Sequence, residues 1–232
     1  MSASLLWPDA AGPGSALTDA AATGWWYCRV LGCDGEPGRF VSVQSHRYPD
    51  GTIVELDDTD AAAQIGNDAA CTVGIGSDGA AVTLLVTPLV ARRSPPLWFA
   101  ELRESAAAPP AVNLIAFTGA GVPAGGLLDE NALTNVSVTS EDQLGALRWY
   151  PATGEVDQIY VQPQWRRRSI AGALLIGAGA LCVARGWPRL WGDGQRTALG
   201  EQLRNASTWR HRAADLTHIA PPMTPGERDG AI

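Results

Sequence analysis

Over the first half of the chain, apolar and polar positions alternate in short runs. Segments 25–33 (WWYCRVLGC), 39–44 (RFVSVQ) and 52–56 (TIVEL) are rich in aromatic and β-branched residues and read as strands. CDGEPG and YPDG separate them as turns. The polar stretch 57–69 reads as a loop. Two further strands are expected at 70–75 and 80–90, joined by the hairpin turn Gly76-Ser77-Asp78-Gly79. Pro95 and Pro96 break the pattern. Beyond them, 97–105 suits a strand or a short helix, 111–117 (AVNLIAF) a buried strand, and the Gly-rich then polar stretch 118–142 a loop.

The last third changes character. Gly145 to Tyr150 and Glu155 to Val161 read as two strands of a hairpin around the turn Pro151-Ala152-Thr153-Gly154. Ser169 to Arg185 is an apolar, small-residue-rich helix stopped by Gly186 and Pro188. A short strand at 189–191 and a helix from about Arg196 to Asn205 follow. The expected fold is mixed α/β (α+β): a mostly antiparallel twisted sheet flanked by helices, with a β-rich N-terminal half. The pattern divides the chain into an N-terminal arm (1–24), a β-rich region (25–110), a region with the hairpin and helices (111–220) and a flexible tail (221–232).

Composition narrows the function classes. Of 232 residues, 46 % are hydrophobic and 18 % charged, the balance of a globular protein. All 17 basic residues are arginine, a pattern that codon bias explains. The formal charge of −7 argues against a general nucleic-acid or anionic-membrane binder, which needs a basic footprint. The four cysteines form no CxxC pair and no His/Cys cluster with metal spacing, so free thiols and no metal site are expected. The N-terminus lacks a basic region followed by an apolar run, and the most apolar stretch, 171–184, is too short to span a bilayer. A soluble, cytoplasmic protein is expected.

The chemistry concentrates at QPQWRRRSIAGALL, residues 162–175, where a strand hands over to a helix. The first turn of a helix leaves N–H groups unpaired and carries partial positive charge, so such a junction can cradle a phosphate. Ser169, Ala171, Gly172 and Ala173 are small enough to permit approach, and Arg166, Arg167 and Arg168 can neutralise phosphate charge. The structural alternative is a solvated loop with Ser169 as an N-cap.

The order Val161-Gln162-Pro163, Trp165, Arg166-Arg167-Arg168-Ser169-Ile170-Ala171, then Ala173-Leu174-Leu175, resembles the pyrophosphate loop of the GNAT superfamily of N-acetyltransferases. The preceding hairpin and following helix–strand–helix fall in that family's order, over about residues 145–209. The stretch 193–200 is more loosely similar to GNAT-like proteins of actinobacteria and their phages. The resemblance implies a GNAT-like sheet binding acetyl-CoA as co-substrate and an acyl transfer to an unknown amine. It implies that Arg166, Arg167, Arg168, Ser169, Ile170 and Ala171 hold the pyrophosphate, and that the strand ending at Tyr160 and Val161 holds the thioester through its backbone. Two positions where the family carries glycine are Arg167 and Ser169 here; a residue with φ > 0 there meets a steric cost that glycine avoids.

Glu155 stands where some members of that family place a general-base glutamate, and Asp157 is the alternative; by strand alternation Glu155, Asp157 and Ile159 share one face. The tyrosine that many members use as an acid in the last helix is missing, since no tyrosine follows Tyr160; Trp209 stands near its place. Nucleophilic triads, Walker loops and dinucleotide fingerprints find no support. Three functions remain: an acyl-CoA-dependent N-acyltransferase; a non-catalytic GNAT-fold protein acting through its surface as a partner or assembly component; and a GNAT-related enzyme that modifies nucleobases, which needs a basic groove that only the arginine cluster suggests. Pairing into a homodimer or larger assembly suits the nine tryptophans.

Overall fold

The computed structural model describes residues 24–32, 38–207 and 210–220. Cys33, Trp209, the arm before Gly24 and the tail after Ala220 lie outside the described residues. The fold is mixed α+β, built from two large, mostly antiparallel sheets and few helices, with a sheet-rich N-terminal half.

The N-terminal sheet contains β1 (Trp25–Val30), β2 (Arg39–Gln44), β3 (Ile53–Leu56), β4 (Ala69–Ile75) and β5 (Ala81–Val86), in the order β3-β1-β2-β4-β5. Only β1 and β3 run parallel. The stretch 57–69, read as a loop, contains helix α1 (Asp58–Ile65). Its signals are local: Asp57 caps the N-terminus by accepting from Asp60 N–H, three alanines favour helix, and Ala61 and Ile65 face the core four residues apart. Polar residues on the solvent face masked that stripe.

The second sheet contains β6 (Trp98–Glu104), β7 (Ala111–Phe117), β8 (Leu127–Leu128), β9 (Gly145–Tyr150), β10 (Glu155–Val161) and β11 (Trp191–Gly192), in the order β11-β10-β9-β7-β6-β8. The ambiguous segment 97–105 is thus strand β6, paired along its length with β7. The change of sheet falls in the connection 87–97 rather than at 110, which is the turn between β6 and β7. The loop expected over 118–142 holds β8 and a single-turn helix, α2 (Glu130–Leu133).

Helix α3 (Ile170–Ala184) lies between the two sheets, against β2, β4 and β5 on one side and β7, β9 and β10 on the other. That placement explains its composition. A helix covered on both sides cannot be amphipathic, and its glycines and alanines let the two sheets approach. A Cβ on Gly177 would lie 3.0 Å from Leu84 Cδ2 and 3.5 Å from Leu114 Cδ2, one from each sheet. The sheets also meet directly where Leu84 N–H donates to Gly125 C=O (2.7 Å) and Thr83 bridges Gly126. Trp25, Phe99, Leu147 and Trp149 fill the space around the helix. Arg185 at its C-cap pairs with buried Glu101 on β6 at 2.5 Å, where a cation also suits the helix dipole.

After β11 come β12 (Gln195–Arg196), α4 (Ala198–Ala206) and β13 (His218–Ile219), with β12 and β13 paired parallel. Thr197 caps α4 by accepting from Gly200 N–H. Among the described residues no helix is long and apolar enough to cross a membrane. No group of three or more His, Cys, Asp or Glu among them is placed to hold a metal ion.

Candidate functional site

Strands β10 and β11 pair for only two residues, Glu155 with Trp191 and Val156 with Gly192. At Asp157 the register of β10 against β9 slips, from Val156 opposite Trp149 to Gln158 opposite Arg148. This bulge bends β10, and beyond it β10 and β11 part. The gap between them is a cavity of about 240 Å³. Val156 and Ile159 of β10, Leu175 of α3, Leu190 beside β11 and Leu203 of α4 make its walls largely apolar.

The bulge corrects the expected face of the strand. Glu155 stays opposite Tyr150, on the face away from α3, but one extra residue inverts the alternation after it. Ile159 therefore turns towards the core with Val156, and Gln158 and Tyr160 take the outer face. Asp157 does not share a face with Ile159. Its Oδ2 pairs with Arg148 Nη1 at 2.5 Å and its Oδ1 accepts from Tyr150 Oη at 2.8 Å. Arg148 also meets Glu104 at 2.8 Å. Hydrogen bonding to Glu104 and Asp157 raises the Arg148 pKa above its ordinary value, and the bond to Asp157 raises that of Tyr150. Glu155 has no side-chain partner among the described residues, whereas Asp157, which is paired, is the one of the two that lines the cavity.

The backbone of β10 is divided between its neighbours. Gln162 N–H donates to Leu144 C=O at 3.0 Å, and alternation then sends the Tyr160 amide to β9 and the Ile159 and Val161 amides towards the gap. Of the two residues named for backbone contact, Tyr160 thus faces β9 and Val161 faces the other edge of β10, where its C=O accepts from Arg166 Nε. Ile159 also faces that edge and lines the cavity, which the sequence hid because the bulge was invisible.

Beyond β10, Pro163 to Trp165 form one 3₁₀ turn, and the loop 166–169 leads into α3. Arg167 (φ 60°) and Ser169 (φ 63°) are both left-handed, the backbone region that glycine enters most easily. Ser169 stands at the N-cap position of α3, its C=O accepting from Ala173 N–H (3.0 Å), but its hydroxyl makes no cap bond. The N–H groups of Ile170, Ala171 and Gly172 meet no acceptor among the described residues. A Cβ on Gly172 would find nothing nearer than Val90 O at 4.0 Å, so space is open beside it. The three arginines diverge. Arg166 Nε donates to Val161 C=O (3.1 Å), and Arg168 stacks on the Trp165 ring (5.0 Å). Arg167 Nη2 reaches Gln202 Oε1 on α4 at 3.4 Å. Gly200, Leu203 and Arg204 of α4 line the cavity, so that contact joins the loop to the helix that walls it.

Missed from sequence was a charge cluster at the far wall. Asp50, in the turn before β3, accepts from Trp25 N–H (2.9 Å) and Arg212 (3.0 Å), pairs with Arg189, and lies 3.7 Å from His211 Nε2. Burial opposes its ionisation, but His211, Arg212, Arg189 and the Trp25 amide together hold its carboxyl well below the usual range. His211, about half exposed, takes part in this cluster.

Comparison with protein-family models, with curated proteins and with solved structures finds no match. The class this chain defines is therefore structural: an α+β protein with a helix enclosed by two sheets and an apolar cleft where two strands part.

Proposed function

We propose that the chain is an acyl-CoA-dependent N-acyltransferase of GNAT type, with acetyl-CoA as donor and an amine as acceptor, acting in the cytoplasm. The observation that carries this reading is the parting of β10 and β11 after two pairs, next to a helix start whose amides are open. The donor's diphosphate would lie on the N–H groups of Ile170, Ala171 and Gly172, with Arg168 and Arg167 supplying positive charge. Its pantetheine arm, amide-rich and largely apolar, suits the cleft between β10 and α4. The Ile159 and Val161 amides would hold the thioester carbonyl and its oxyanion as the amine attacks. Glu155 would take the ammonium proton before attack.

The left-handed backbone at Arg167 and Ser169 supports the same reading. Those are the two positions where the family carries glycine. The loop adopts the conformation glycine would permit, although neither residue is glycine.

One observation favours a second reading. No tyrosine follows Tyr160, and Arg167 spans from the loop to Gln202 across the side where a diphosphate would enter. A non-catalytic GNAT-fold protein, acting as a binding partner or assembly component, would need neither a tyrosine nor an open loop.

Titration calorimetry with acetyl-CoA separates the two. The transferase reading expects saturable heat, lost when Arg167 and Arg168 are replaced together by alanine. Absence of heat and of any thermal shift at millimolar donor would leave only the scaffold.

A further inference from the structure

We infer that Asp50 is a positioning residue for the cleft: from the N-terminal sheet, one carboxylate holds both β11 and the C-terminal strap that together form the far wall. The inference concerns the same cleft but does not depend on what occupies it.

The strap is the segment 210–220. Arg210, Arg212, Ala213 and Ala220 line the cavity from the side opposite β10. It runs beside β11 and β12. Ala214 N–H donates to Gly192 C=O (2.9 Å), Thr217 N–H to Gly194 C=O (2.8 Å), and Ala220 N–H to Arg196 C=O (3.0 Å). The wall is therefore a unit of β11, β12 and the strap. It joins β10 through the two pairs at Glu155 and Val156, and Trp191 is also bonded to the β9–β10 turn, its N–H donating to Gly154 C=O (3.0 Å) and its Nε1–H to Thr153 C=O (3.1 Å). These contacts, with buried Leu190, all lie at the β11 end of the unit, so the strap end depends on contacts of its own.

Asp50 supplies a hold at both parts of the unit. Arg189 sits next to cavity-lining Leu190, two residues before β11, and Arg212 is in the strap. Both guanidinium groups converge on the one carboxylate, with His211 beside it. The Arg212 side chain is only 8 % exposed, and its guanidinium is held by Asp50 together with Tyr27 of β1. Asp50 is itself fixed by the Trp25 N–H, and Gly51 beside it is bonded to Trp25 C=O at 2.6 Å. Gly51 has φ 84°, and a Cβ there would strike the Arg189 guanidinium, so the turn is shaped around that arginine. The sequence separation of 162 residues between Asp50 and Arg212 makes this a long-range device linking the two halves of the chain.

Hydrogen–deuterium exchange of Asp50→Asn against wild type tests it. Peptides covering 189–196 and 210–220 should exchange at least about tenfold faster, while those from β4 and β5 stay unchanged; Asp50→Glu should restore part of the protection. In a parallel titration, Asp50→Asn should weaken coenzyme A binding by about tenfold or more. Unchanged exchange in both wall peptides would overturn the inference, as would a uniform rise across the whole chain. If the asparagine variant fails to fold, Arg212→Met and Arg189→Met are measured instead; each should loosen its own segment first, and loss of protection in neither would overturn the inference too. If wild type binds no coenzyme A, the transferase reading fails while the exchange result still decides the role of Asp50.

Discussion

Arg148 Nη1 lies 2.5 Å from Asp157 Oδ2, on the face of the sheet turned away from α3. The pair joins the bulge residue of β10 to its neighbour β9, and Tyr150 holds the second oxygen of the same carboxylate. Asp157 is thus occupied by the sheet, whereas Glu155, two residues earlier, is not. The two carboxylates proposed for proton transfer differ in availability, not in type.

Glu155→Gln should therefore lower kcat/KM for acetyl transfer by about a hundredfold or more, the scale of a lost general base. Asp157→Asn should cost less, with stability changed by about 1 kcal/mol, since the pair is partly buried at the sheet surface and asparagine keeps part of its hydrogen bonding. Steady-state kinetics of both variants checks this. A larger loss at Asp157 would reverse the assignment.

Ser169→Gly should leave stability unchanged or raise it by up to about 1 kcal/mol, because glycine avoids the left-handed penalty that Ser169 carries at φ 63°. Ser169→Val should lower it by about 1–2 kcal/mol, because a β-branched side chain fits that backbone region worst. Denaturant midpoints at a constant m-value measure both.

Gly177→Val should destabilise by about 1–3 kcal/mol, the usual cost of overpacking, because its side chain would enter space held by Leu84 and Leu114. Thermal unfolding reports the loss. A neutral result would mean that the two sheets separate more easily than their packing on α3 implies.

Cys28, Cys71 and Cys182 are buried, and burial pushes the thiols of Cys28 and Cys182 up to about 11 and 12 and that of Cys71 further. The native state therefore binds more protons than the unfolded state once pH exceeds the ordinary thiol value of about 8.5. Their contribution to stability is complete below that pH and falls as pH rises towards the native values. Iodoacetamide at pH 8 should leave all three unmodified in the native protein and label them in denaturant, read by peptide mass mapping.

Much of the local structure was legible. β2, β7, β9 and β10 fall on the runs that alternation marks, and α3 and α4 start and stop within a few residues of Ser169, Gly186 and Thr197. Those signals act over a few residues, so sequence carries them. Helix α1 was overlooked because its apolar stripe is two small or medium residues amid acids. The handover from β10 to α3 through the loop 166–169 was legible, but the face of Ile159, the occupancy of Asp157 and the contacts of Asp50 were not readable. Each depends on a partner that pattern does not name.

What the sequence determined by itself is the set of elements and their caps, since hydrophobic period, turn residues and cap side chains act through short-range backbone sterics and hydrogen bonds. The tertiary structure alone decided that two sheets enclose α3, that one extra residue at Asp157 inverts the strand beyond it, and that Asp50 meets Arg189 and Arg212. Those outcomes come from packing and charge pairing between segments far apart in the chain, where many partners are chemically possible and only the assembled fold selects one.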